Sequence, residues 1–156
     1  MGKGGVERSF INLSKELINK GHDVKFVCLN KIKSEYNENL SVIKLNSSRT
    51  LFSIIKLSKV IEYEAPDVLI SAQYYANIAA IISNKISKNK TKVIISERNH
   101  LTSALARYSL LKSLLIKFLV KITYKRADLI FGNSESVCED LEEKFVFKNN
   151  IKVKKI

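Results

Sequence analysis

The sequence predicts an α/β protein built on an open, three-layer parallel sheet with helices on both faces. Three observations carry that prediction. Apolar runs of strand length alternate with stretches whose apolar residues recur at helical spacing. The strand-like runs are nearly continuous rather than alternating, as in sheets covered on both sides. The connections between them are short, which suits strands joined by crossover helices.

A glycine-bearing stretch, Met1 to Gly5, opens the chain. Val6, Phe10, Leu13 and Leu17 then mark one face of a helix. Gly21 is its expected stop, because glycine takes the left-handed conformation at low cost. Val24–Leu29 reads as a strand, Lys31–Asn39 as a polar connection, and Leu40–Leu45 as a second strand. Leu51, Ile54, Ile55, Leu57, Val60 and Ile61 predict a helix that Pro66 ends. Asp67–Ser71 is the next strand and Ala76–Ile86 the next helix; Lys92–Ser96 is a strand closed by Glu97, Arg98, Asn99 and His100. One long helix is expected from Ser103 to Arg126, then a strand at Asp128–Gly132. Ser134 or Ser136 can cap a helix reaching Lys144, and Ile151–Lys155 begins a last strand.

The totals bound what this sheet can do. Its 156 residues suit one domain, and an apolar content of 46% favours a packed core over disorder. A formal charge of +12 has two readings: an anionic partner, or a lysine-rich composition without a role. Cys28 and Cys138 lie in apolar segments and form no disulfide framework, which fits a reducing compartment. No apolar signal region or run long enough to span a bilayer is evident. His22 and His100 make no ligand-spaced pair, so no metal site is expected, and nucleic-acid-binding spacings are absent.

Three segments carry a resemblance. Gly4-Gly5-Val6-Glu7-Arg8, its helix, and His22-Asp23-Val24 resemble the glycine loop, first helix and second strand of a family-4 glycosyltransferase N-terminal domain. Ser96-Glu97-Arg98-Asn99 resembles a strand-end loop of members that build bacterial polysaccharides. Arg126-Ala127-Asp128-Leu129-Ile130, running to Asn133–Val137, resembles the strand ahead of the domain junction. The resemblance implies a Rossmann-like sheet, the acceptor-side half of a retaining GT-B enzyme. Only Met1-Gly2-Lys3 precedes Gly4, so the first central strand is expected to be lacking. The nucleotide-sugar-binding C-terminal domain is expected to be absent as well, leaving this half inactive alone.

The same resemblance implies a UDP- or GDP-sugar as donor of the full enzyme, with no cofactor held by this half. The acceptor would be a glycan or a lipid-linked molecule. The expected place is the cytoplasm, peripheral on the inner face of the plasma membrane.

Candidate site residues follow from position. Glycines at a helix start let amides approach a phosphate, which nominates Gly4 and Gly5; Glu7 and Arg8 follow at the helix opening. Glu97, Arg98, Asn99 and His100 gather after a strand's carboxyl end, where open α/β sheets bind ligands. His100 and Glu97 are the catalytic candidates; Arg98 can neutralise an anionic acceptor group, beside Asn99. Gln73, Tyr74 and Tyr75 follow another strand end, and an aromatic ring there can stack on a sugar. The plain alternatives are a tight turn, helix caps at Asn99 or Thr102, and ordinary packing.

In the long basic helix, Tyr108, Leu111, Leu115, Leu119 and Ile122 share a face, with Phe118 beside it; Arg107, Lys117, Lys121 and Lys125 lie near the other side. Those cations can face an anionic membrane, or the helix can pack on the sheet with a solvated lysine edge. Two competing functions remain. One is a non-catalytic membrane- or anion-binding α/β module. The other, a small nucleotide-binding protein, is disfavoured by the lack of spaced-glycine and phosphate-binding lysine motifs.

Overall fold

A computed structural model describes residues 5–30, 40–89, 91–145 and 153–155. Gly4 and the 31–39 connection therefore lie outside the described residues. Helix α1 (Gly5–Asn19) ends as the sequence predicts: Gly21 has φ 85°. The amides of Gly21 and His22 donate back to the carbonyls of Ile18 and Leu17, closing the last turn. Strands β1 (Lys25–Asn30) and β2 (Ser41–Ser47) pair in parallel. Helix α2 (Thr50–Glu64) stops at Ala65, forced to φ 42° just before Pro66.

The remaining elements alternate. They are β3 (Val68–Ala72), α3 (Tyr74–Ile86), β4 (Lys92–Glu97), α4 (Leu101–Leu105), α5 (Leu110–Tyr124), β5 (Leu129–Gly132), α6 (Glu135–Lys144) and β6 (Val153–Lys155). Among the described residues all strand pairings are parallel, and they fall into two sheets, β1-β2 and β3-β4-β5-β6. Strands β1 and β3 are not hydrogen-bonded to each other among the described residues. They meet under α2, where Val27, Leu29 and Leu69 pack around Leu57 and Ile61. A larger core joins β4 and β5 to α3, α5 and α6 through Val93, Ile95, Ile130, Val120 and Leu141.

Three expectations are corrected. The long helix is two: α4 starts at Leu101 and ends at Leu105, and α5 starts at Leu110. The break is tertiary in origin. Ser109 takes an extended ψ of 152°, and Tyr108 turns in to meet Tyr74, hydroxyl to hydroxyl at 2.8 Å. Neither Asn99 nor Thr102 caps α4; the cap position is His100, whose side chain makes no capping bond. Asp140 of α6 supplies the acceptor instead, taking the Thr102 amide at 3.1 Å and the Thr102 hydroxyl at 2.5 Å. Among the described residues the apolar face of α1 is only half covered, with Leu13 exposed. Ser134 rather than Ser136 caps α6, accepting from the Val137 amide.

Candidate functional site

Strands β3 and β4 run side by side in register, their pairing ending at Ala72 and Ser96. Their carboxyl ends open on a cavity of about 260 Å³, lined by Gln73, Tyr74, Tyr75, Glu97, Asn99, Leu101 and Ala104. Parallel strands aim their carboxyl ends at the same edge, which is why segments distant in sequence converge there.

Glu97 is the buried centre, 3% exposed. Its Oε1 accepts from the Asn77 amide at 2.8 Å and from the Tyr124 hydroxyl. No group among the described residues hydrogen-bonds Oε2. Burial pushes the carboxyl up to about 7, against the pull of the Tyr124 and Asn77 bonds. Asn77 is itself fixed, donating also to the Ser96 carbonyl and accepting from Ser71. Burial drives the Tyr124 phenol far up, aided by the charge of Glu97, so it stays a donor.

The wall beside Glu97 is aromatic. Burial and the Tyr108 bond raise Tyr74, and Tyr74 meets Tyr75 edge to face at 5.5 Å. Burial, and then the charges of Glu7 and Glu97, raise the Tyr75 phenol. Glu7 is therefore close enough to be felt at the cavity. Gln73 sits at the α3 cap with φ 74° and ψ 136°, a region that non-glycine residues adopt only at a cost of roughly 1–3 kcal/mol. It is held there at three points. Its amide donates to the Ser96 carbonyl, its carbonyl accepts from the Asn77 amide, and its side chain accepts from Tyr75.

The other nominated residues divide. Asn99 lines the cavity. Arg98 reaches back to α1, donating to the Ser9 hydroxyl at 3.2 Å, while its Nε is buried without a partner among the described residues. His100 and Arg8 are exposed, and His100 does not line the cavity. Gly5 opens α1, and a side chain there would meet no neighbour, so nothing described demands glycine at that point. Arg107, Lys121 and Lys125 are exposed and Lys117 is half-buried, and none of them lines the cavity.

Asn77 and Tyr124 escaped the sequence reading. Asn77 stood among apolar residues at the start of Ala76–Ile86, where a side-chain amide signals a buried partner. Tyr124 stood at the end of a basic helix and carried no such signal. Among the described residues no cluster of three His, Cys, Asp or Glu side chains is placed to hold a metal.

The arrangement offers a carboxyl that titrates near neutrality, beside aromatic rings and amides suited to a hydroxylated ligand. The family model described as Glycosyltransferase Family 4 matches residues 3–153. No curated protein matches the chain.

Proposed function

The chain belongs to glycosyltransferase family 4, and from that premise we propose that it is the acceptor-side half of a retaining enzyme of the GT-B fold. It moves a sugar from a UDP- or GDP-sugar to a glycan or a lipid-linked acceptor. The observation that carries this reading is Glu97, buried at a strand-end cavity with two donors on Oε1 and, among the described residues, none on Oε2. A carboxyl near 7 is divided between its two forms at neutral pH, which suits an acceptor of protons.

In the proposed step the acceptor hydroxyl oxygen bonds to the anomeric carbon as the bond from that carbon to the donor phosphate breaks. The nucleoside diphosphate leaves with the electron pair, and Oε2 of Glu97 receives the hydroxyl proton. Tyr74, Tyr75 and Asn99 line the place where the acceptor sugar would lie. Arg98, with Nε unpartnered, is assigned to an anionic group of the acceptor. The donor diphosphate is assigned to a second α/β domain that closes over this edge of the sheet.

The test is release of nucleoside diphosphate and labelling of acceptor, for the chain alone and joined to a family-4 nucleotide-sugar domain. Transfer should need the joined form, and Glu97→Gln should lower it by about 10²-fold or more. Undiminished transfer by that variant removes Glu97 from the chemistry. No transfer from any donor by the joined form sinks the transferase reading.

A further inference from the structure

Helix α5 is apolar on both sides. Its inner side places Val120 and Tyr124, fully buried, in the larger core. Its outer side carries Leu111, Leu114, Leu115, Phe118 and Ile122, a stripe at helical spacing. All five are exposed, Leu111 by 81% and Phe118 by 61%. A helix packed on a sheet ordinarily turns a polar side to water. A stripe of five large apolar side chains marks a surface that expects a partner.

Charge identifies the partner. Lys112 borders one edge of the stripe and Lys117 and Lys121 the other, by their positions around the helix. From Arg98 to Ala127 inclusive there are seven Lys and Arg and no Asp or Glu. Two copies meeting on this face would bring two such segments together, and like charges oppose that. An anionic bilayer offers both an apolar layer and neutralising phosphates. Helix α2 also exposes Leu51, Phe52 and Ile55, but Glu62 and Glu64 near its end break the uniform charge.

We propose that α5 lies flat on an anionic lipid surface, its leucine and phenylalanine stripe at the headgroup boundary and its lysines on lipid phosphates. No helix among the described residues is long and apolar enough to cross a membrane, so the contact is in the plane. Lys112 stacks on Tyr108, whose hydroxyl meets Tyr74 of the cavity wall, so the docked face begins one side chain from the cavity. This docking stands independently of the transferase reading.

The test uses the full chain carrying Phe118→Trp, with vesicles of phosphatidylcholine alone or mixed with phosphatidylglycerol. Tryptophan emission should shift to the blue, and the protein should float, with the mixed vesicles only. Leu111→Gln with Leu115→Gln should cut binding by about tenfold or more. Lys117→Gln with Lys121→Gln should remove roughly tenfold of the preference for the anionic vesicles. All these positions lie on the outside of α5, and circular dichroism checks that each variant is folded. Emission unmoved by vesicles, or equal binding by the leucine variant, overturns the proposal. So does a dimer that shields the tryptophan from quencher and leaves it unable to bind vesicles.

Discussion

Asn77 and Tyr124 both donate to Oε1 of Glu97, so its ionised form is met from one side only and burial dominates. The folded-state value, about 7, stands above the ordinary 4.5. The folded chain therefore binds more protons than the unfolded chain between those values, and stability falls as pH rises through that window. The stabilising contribution is complete below pH 4.5 and gone above about pH 7. Glu97→Gln keeps an acceptor for both donors and cannot ionise. Its urea midpoint should exceed that of the parent at pH 8, by up to roughly 2–3 kcal/mol, and match it at pH 4. A parent whose midpoint is level from pH 5 to 8 would refute this account. The sequence disclosed Glu97 because polar residues crowded a strand end; it hid Tyr124, whose role depends on the packing of α5 beside α3 that brings its hydroxyl to Glu97.

Helix α4 takes its first-turn acceptor from another helix. Burial pushes the Asp140 carboxyl up, but the Thr102 hydroxyl and amide and the Lys144 ammonium outweigh it and hold the value below the ordinary range. That contribution is present at neutral pH and is lost as pH falls through the lowered value. Asp140→Ala should cost about 1 kcal/mol or more in chemical denaturation at pH 7, as loss of a cap does, and flatten the acid limb. An unchanged midpoint would mean that α4 holds without it. Strand β5 meets α6 as tightly at Gly132, where an added Cβ would lie 2.5 Å from the Cys138 sulfur and 3.2 Å from its amide nitrogen. Gly132→Ala should destabilise by roughly 1–3 kcal/mol. Adding Cys138→Ala should return part of that, a coupling that a double-mutant cycle measures; strict additivity would contradict the contact. Such junctions were illegible in the sequence. The sequence offered one helix across α4 and α5 and a capped start for α6, yet the break at Ala106–Ser109 and the bond from Asp140 depend on packing between segments far apart in the chain.

Across the whole molecule, the parallel pairing and the alternation of strand and helix follow from what the sequence offered: continuous apolar runs, helical spacing between them, Gly21 and Pro66 as stops. The exposed stripe of α5 was harder, because an apolar position predicts burial until the neighbours are known. Two cores of unequal size result. The larger spans α3, β4, α5, β5 and α6; the smaller has Leu45, Leu57 and Ile61 as its buried members. Because β1-β2 and β3-β4-β5-β6 share no strand pairing among the described residues, deuterium should enter them on separate schedules. Amides of β1 and β2 should exchange about tenfold or more faster than those of β4 and β5, reporting an opening that leaves the larger core closed. A common rate would show that both sheets open as one. With separate rates, the cavity at β3 and β4 keeps its shape through excursions that loosen β1 and β2, and its lifetime is set chiefly by the larger core.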